Sequence, residues 1–192
     1  MRQNLCLLFG LIVFSACAQN SKFNIEVSYP ITFGDNFVEQ NYNGVVDLGL
    51  KYRFADLKVA NLGASINAGY LKNSKEDRVQ PIDVNLYTVQ PRIFAELNLA
   101  ALAKLHPSAG IGYSVLIFKP QYNRTFNASP NEDETLDQSG FNINFGLAYD
   151  ITNKLFIQAR YDFVKINVED NVPDVSYNTN VNVIKIGLGY HL

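Results

Sequence analysis

The sequence is poor in cysteine and in charge, and it has no tryptophan. Both cysteines, Cys6 and Cys17, lie among the first 20 of the 192 residues, so a chain cleaved after Ala18 would contain no thiol. Such a chain has no disulfide, no thiolate metal ligand and no cysteine nucleophile. Charged residues make up only 18% of the sequence and the net charge is −2, which gives no reason to expect nucleic acid as a partner.

The chain also lacks a long apolar run outside its N-terminus, so no segment there reaches the roughly 20 residues that a membrane-spanning helix needs. The N-terminus itself is typical of a secretory signal, with Arg2, the apolar segment 5–14 and the small residues Ala16 and Ala18 around the cleavage site. We predict a signal peptide over residues 1–18 and one mature domain over residues 19–192. A lipoprotein signal with an acylated Cys17 is the alternative.

Alternation of apolar and polar residues with a period of two runs through the rest of the chain, and this pattern is typical of β-strands. Eight segments carry it, and their apolar phases cover residues 23–29, 44–54 (beginning with Gly44), 62–70, 87–97, 109–117, 141–149, 155–163 and 184–192. The connections alternate between long polar ones (30–43, 72–83, 119–139 and 166–180) and short ones (55–61, 98–105 and 152–154). Pro91 is the one awkward strand residue, because it cannot donate to a ladder. The pattern predicts an all-β fold, a closed antiparallel transmembrane β-barrel of about eight strands with short periplasmic turns and long extracellular loops.

The polar phase of these strands carries five acidic and five basic residues: Glu26, Asp47, Lys51, Arg53, Arg92, Glu96, Asp150, Arg160, Asp162 and Lys185. A soluble carrier barrel would turn these charges to water, whereas a membrane barrel would turn them into the lumen, the space that the strands enclose. The apolar phase is too bulky for the interior of eight strands, and this favours the membrane barrel. We therefore predict a structural ion-pair network in the lumen, packed together with Phe94, Phe118 and Phe156.

The C-terminal strand carries the most specific motif. Lys185, Gly187, Tyr190 and Leu192 occupy the polar, glycine, aromatic and terminal hydrophobic positions of a barrel-assembly signal. Over residues 19–192 the chain resembles the small outer-membrane β-barrel (porin-like) family, which includes the transmembrane domain of OmpA and the barrel OmpX. The resemblance implies a monomer in the cell outer membrane of a Gram-negative bacterium, in contact with outer-membrane lipid and inserted by the barrel-assembly machinery. Leu192 departs from the pattern, because the family usually ends in Phe.

The sequence indicates the function of the protein less clearly than its fold. The only histidines, His106 and His191, lie away from the extracellular rim where a barrel enzyme would place a general base, so we predict no catalytic site, no cofactor and no metal centre. Acidic residues of the outer loops leave weak Ca²⁺ binding open: Glu132, Asp133, Glu134, Asp137, Glu169, Asp170 and Asp174. The leading hypothesis is a non-enzymatic barrel with a plugged polar lumen that presents its loops to an extracellular partner, for envelope structure, adhesion or surface interaction. A narrow porin-like channel for small solutes is the alternative, followed by an enzyme at the rim.

Overall fold

The computed structural model describes residues 22–73, 83–121, 135–168 and 172–192. Eight strands are present: β1 (Phe23–Phe33), β2 (Asn43–Asp56), β3 (Ala60–Lys72), β4 (Asp83–Leu97), β5 (Leu105–Gln121), β6 (Leu136–Asp150), β7 (Leu155–Ile166) and β8 (Asn180–His191). Two short helices, α1 (Phe37–Asn41) and α2 (Ser176–Thr179), and a 3₁₀ turn (Ala100–Leu102) lie in the connections. No described helix has both the length and the apolar character needed to cross a membrane.

The strands form one closed barrel in sequence order, with every neighbouring pair antiparallel. Closure is made by β1 and β8, which pair from Asn24↔His191 to Phe33↔Asn182. A closed sheet has no edge strand, so the strand backbone groups are satisfied within the sheet, as a bilayer requires. The predicted fold class and strand number are confirmed.

The two faces of the barrel differ as the period-two pattern predicts. Ile25 and Val27 of β1 are 42% and 47% exposed on the outside, while the intervening Glu26 is only 5% exposed on the inside. The outer face therefore carries the apolar side chains that a lipid environment requires, and the charged phase lies within.

The assignment of Gly44 to the outer phase was wrong. The register of β2 against β3 shifts between Gly44 and Val46, so Val45 faces outward and Gly44 faces inward opposite Leu71. A Cβ at Gly44 would lie 1.8 Å from the carbonyl oxygen of Pro30. Only glycine permits this close approach. The extra residue of the β-bulge reverses which face of the sheet the preceding residues of β2 occupy.

Pro91 lies in the middle of β4, and its ring is on the outer face of the barrel. It pairs with Ile66 of β3, but the ladder with β5 is interrupted between the pairs Val89↔Val115 and Arg92↔Gly112. The register is the same on both sides of this gap. The missing amide of proline therefore interrupts the ladder without shifting the strand.

The connections separate the barrel into two ends. We call the end with the chain termini and the short turns the terminal end, and the opposite end the loop end. Helix α1 lies in the first long connection, where the Asn36 side chain accepts a hydrogen bond from the Glu39 amide at 2.9 Å as an N-cap. The predicted signal peptide, and most of the predicted loops 72–83 and 119–139, fall outside the described residues.

Candidate functional site: the barrel interior

A network of buried charges fills the middle of the barrel. We define the central network as seven side chains: Glu26, Asp47, Lys51, Arg92, Arg160, Asp162 and Lys185. Lys185 reaches Asp47 and Asp162 with Nζ–oxygen distances of 2.6 and 3.0 Å. Arg160 reaches Glu26 at 3.1 Å and Asp47 at 3.4 Å, and Lys51 reaches the other oxygen of Glu26 at 3.0 Å. Lys51–Glu26 and Lys185–Asp162 join neighbouring strands, whereas the pairs of Arg160 with Glu26 and Asp47, and of Lys185 with Asp47, join strands that are not neighbours in the sheet.

Arg92 is the most heavily bonded cation of the central network. Its Nη2 lies 2.8 Å from Asp162 Oδ2, and its Nε and Nη1 donate to the amide oxygens of Asn142 and Asn67 at 3.0 and 3.1 Å. Nη2 also donates to Gln90 Oε1. The central network has three carboxylates and four cations, so the cations outnumber the carboxylates. The side-chain amide oxygens of Asn67, Gln90 and Asn142 therefore accept from guanidinium N–H groups that no carboxylate reaches.

Three of the ten predicted lumen charges lie outside the central network, toward the terminal end. Arg53 and Glu96 form their own pair, with Nε–Oε1 and Nη2–Oε2 distances of 2.8 and 3.1 Å. Asp150 contacts His106 and His191 instead of a lysine or arginine. Arg92 and Glu96, four residues apart on β4, do not pair with each other, because each has a partner on a different strand.

An aromatic layer lies between the central network and the terminal end. Phe94 and Phe156 are 6% and 2% exposed, and Lys51 Nζ lies 5.3 Å from the centre of the Phe94 ring. The rings fit because glycine faces each of them: a Cβ at Gly63 would lie 2.3 Å from Phe94 Cζ, and one at Gly189 would lie 2.0 Å from Phe156 Cζ. Small residues in the polar phase thus make room for the large ones.

The loop-end third of the interior is apolar, which the sequence analysis did not predict. Helix α1 turns inward and places Val38 and Tyr42, each 2% exposed, inside the barrel. Burial raises the pKa of Tyr42 to about 12. Around them lies an apolar plug formed by inward residues of the strand ends: Leu71, Leu86, Leu116, Phe118, Val164, Ile166, Val181 and Val183.

The sequence did contain a signal for the apolar plug. In β3, β4, β5, β7 and β8 the inward phase changes from polar or small to aliphatic or aromatic at the loop end. Thr32 Oγ1 donates to the Tyr42 carbonyl at 3.0 Å, which ties the end of α1 to β1. The lumen therefore has a polar centre and an apolar layer at the loop end, and of this layer only Phe118 was among the residues predicted to lie in the lumen.

Little free space lies between the apolar plug and the central network. The cavity bounded by Val38, Leu86, Asp47 and Lys185 has a volume of about 20 Å³, room for about one water molecule. A larger cavity of about 380 Å³ lies above the apolar plug, between Phe37, Phe118 and Val172. Another of about 390 Å³ forms the mouth at the terminal end, lined by Arg53, His106 and His191.

The remaining predicted residues are distributed as follows. In the assembly motif, Lys185 and Gly187 face the lumen, Tyr190 is 38% exposed on the outer face, and the Leu192 amide donates to the Phe23 carbonyl at 3.0 Å. Of the acidic loop residues, Asp174 lies 3.4 Å from Lys165 Nζ, while residues 132–134 and 169–170 lie outside the described part.

Within residues 22–73, 83–121, 135–168 and 172–192, no three His, Cys, Asp or Glu side chains are arranged to hold a metal ion.

The fold and interior define a small transmembrane β-barrel of eight strands, with an apolar outer face and a polar, packed lumen. The family model for the outer membrane protein beta-barrel domain matches residues 5–191, so the chain belongs to this family and is an outer-membrane protein. A search of curated proteins finds no significant match.

Solved structures share the fold at low sequence identity. Neisserial surface protein A (NspA) is 13% identical with a TM-score of 0.63, covering 89% of this chain and 97% of that one. The attachment invasion locus protein Ail of Yersinia pestis, in complex with the heparin analogue sucrose octasulfate, is 15% identical with a TM-score of 0.55, covering 88% and 95%. The N-terminal β-barrel domain of Pseudomonas aeruginosa OprF is 15% identical with a TM-score of 0.52, also covering 88% and 95%.

Proposed function

We propose that the protein is a non-enzymatic outer-membrane barrel with a closed lumen, which presents its loop end to the cell exterior for envelope structure, adhesion or surface interaction. The observation that carries the proposal is the central network, in which three buried ion pairs reach through the lumen between strands that are not neighbours in the sheet. A solute passing through would have to separate buried pairs, and breaking one such pair costs about 3–5 kcal/mol. The apolar plug adds a second barrier of a different chemical kind.

The shape of the loop end supports the presentation of loops. The connections at this end are the long ones, and the first and last of them carry α1 and α2. Tyr177 Oη of α2 donates to Gln40 Oε1 of α1 at 2.9 Å, so the first and last connections contact each other above the apolar plug. A contact between two loops restricts their movement, and this suits recognition because less conformational entropy is lost on binding.

The names of two structures with this fold support a surface role. Ail is named for attachment and invasion and NspA as a surface protein, and both share this fold at identities too low to transfer a ligand. The partners that we propose for this chain are outer-membrane lipid, the barrel-assembly machinery and an extracellular molecule. We propose that the barrel acts as a monomer.

The experiment that tests the proposal is cysteine labelling on intact cells. Because the two native cysteines lie within residues 1–21, single cysteines can be introduced at Asp35, exposed at the loop end, and at Asn153, exposed in a turn of the terminal end. We expect a membrane-impermeant maleimide to label Asp35→Cys and to leave Asn153→Cys unlabelled until the outer membrane is permeabilised. Labelling of Asn153→Cys alone on intact cells would contradict the proposed orientation, and with it the presentation of the loop end.

A further inference from the structure

His191, the last residue of β8, has both ring nitrogens facing oxygen atoms. Nδ1 lies 2.8 Å from Asn24 Oδ1 on β1, and Nε2 lies 3.0 Å from Asp150 Oδ1 at the end of β6. The orientation of the Asn24 amide is fixed independently, because Arg53 Nη1 donates to the same Oδ1 at 3.1 Å and a guanidinium has no acceptor. Both partners of His191 are therefore hydrogen-bond acceptors.

A neutral imidazole has one N–H donor and one bare nitrogen, whereas the imidazolium has two donors. Neutral His191 would turn a lone pair toward an oxygen of either Asn24 or Asp150, and that contact would be repulsive. We propose that His191 in its imidazolium form is a pH-sensitive latch that holds β1, β6 and β8 together at the terminal end of the barrel seam. Deprotonation removes one of its two hydrogen bonds and loosens the mouth.

The neighbouring charges are compatible with an imidazolium at this position. Arg53 of β2 is paired with Glu96 of β4, so its charge is compensated within the same cavity. The cavity is also lined by Lys22, Asp56 and His106. The His191 ring packs 4.7 Å from the ring centre of Phe156, where an aromatic face favours a cation. The His191 amide donates to the Lys154 carbonyl at 2.8 Å, which keeps the backbone in place whichever form the ring takes.

His106 is a matched internal comparison, because it contacts the same carboxylate. Its Nε2 lies 2.9 Å from Asp150 Oδ2, and its Nδ1 is buried with no hydrogen-bond partner among the described residues. A single donor on Nε2 satisfies this arrangement, so the neutral form fits His106 while the geometry of His191 requires two donors. The two rings are expected to differ in protonation although they share Asp150.

The sign of the pH effect follows from the form that the fold selects. Because both partners of the ring are acceptors, the latch is complete only while both ring nitrogens carry a proton, and removal of one proton at higher pH breaks one hydrogen bond. Rising pH is therefore expected to increase opening of the β1–β8 seam at the terminal end. The rest of the barrel is held by contacts that do not involve His191.

The test is ¹⁵N NMR of full-length, histidine-labelled protein in lipid nanodiscs between pH 5 and 9, with assignment by His191→Gln and His106→Gln. At pH 6 we expect two protonated nitrogens on His191 and one on His106. A bare nitrogen on His191 at pH 6 would overturn the proposal, and the wild-type spectrum with His106→Gln alone decides this even if His191→Gln does not fold.

Hydrogen exchange provides the second measurement, on the amides of Asn24 and Leu192 at the seam. After correction for the intrinsic exchange rate, we expect wild-type protection to fall about tenfold between pH 6 and pH 8.5, the factor for loss of one charge-assisted hydrogen bond. His106→Gln should retain this pH dependence and His191→Gln should lack it. Equal pH dependence in wild type and His191→Gln would contradict the latch.

Discussion

Arg92 and Asp162 form the most deeply buried ion pair among the described residues, with an Nη2–Oδ2 distance of 2.8 Å and side chains that are 1% and 0% exposed. They lie on β4 and β7, which are not neighbours in the sheet. The pair therefore holds opposite walls of the barrel together through the lumen. The proposed closure of the lumen and the predicted effect of Arg92 on stability both rest on this central network.

Removal of Arg92 is expected to destabilise the barrel. Arg92→Ala would leave Asp162 with fewer partners. It would also remove the N–H groups that donate to the side-chain oxygens of Asn67 and Asn142. Breaking a buried ion pair costs about 3–5 kcal/mol. Urea unfolding in lipid vesicles measures the loss. Lys165→Ala is the control, because Lys165 loses only an exposed pair with Asp174 at 3.4 Å, worth about 1 kcal/mol or less, and one hydrogen bond to Thr179 Oγ1 at 2.6 Å, so its loss should be smaller than that of Arg92→Ala. Equal stability of wild type and Arg92→Ala would refute the structural role of the network.

A methyl group at Gly189 is expected to be incompatible with the Phe156 ring. A Cβ there would lie 2.0 Å from Phe156 Cζ, and overpacking of this kind costs about 1–3 kcal/mol. Phe156→Leu removes the far end of the ring, so the double variant Gly189→Ala/Phe156→Leu should be more stable than the sum of the single effects predicts. Strictly additive unfolding free energies in this double-mutant cycle would show that the two residues do not compete for space.

The C-terminal residues are expected to be needed for membrane insertion. Deletion of residues 190–192 removes backbone hydrogen bonds from Leu192 to Phe23 and from His191 to Lys154, and an unpaired backbone group in lipid costs several kcal/mol. Heat-modifiability on gels of outer-membrane fractions measures the folded yield. The variant Leu192→Phe keeps all these bonds and restores the residue usual in the family, so its yield should equal or exceed wild type. A normal yield of the truncated protein would count against the prediction.

The N-terminal segment is expected to be removed by ordinary cleavage. The small residues Ala16 and Ala18 lead us to predict a mature chain that begins at Gln19 and carries no lipid. Intact-mass measurement of protein extracted from outer membranes decides between this and the lipoprotein alternative. A mass that corresponds to an acylated chain beginning at Cys17 would show the prediction to be wrong.

The sequence predicted the fold because a transmembrane barrel repeats one simple rule along every strand. The period of two places Ile25 outside and Glu26 inside, and eight such segments close without an edge. The errors occurred where that rule is broken locally. Gly44 was misplaced because a β-bulge, invisible in a single sequence, shifts the phase of β2.

The interior was predicted in composition but not in pairing. Nearly all the charges expected in the lumen face inward, yet alternation says only which face a residue occupies, not which strand lies opposite. For this reason the pairs Arg53–Glu96 and Arg92–Asp162 were not predicted, and Asp150 was placed in a network that it does not join. Helix α1 was missed because a five-residue helix in a loop forms mainly through the burial of Val38 and Tyr42, which is a tertiary effect.

The central claim, that the lumen is closed, is tested most directly by single-channel recording of the full-length wild-type protein in planar bilayers. Parallel heat-modifiability and flotation with lipid vesicles establish that the barrel is folded and inserted. Because the ion pairs of the central network and the apolar plug both cross the lumen, we predict no stable conductance from inserted protein. Reproducible, discrete channels from that same preparation would contradict the closed lumen and favour the narrow pore.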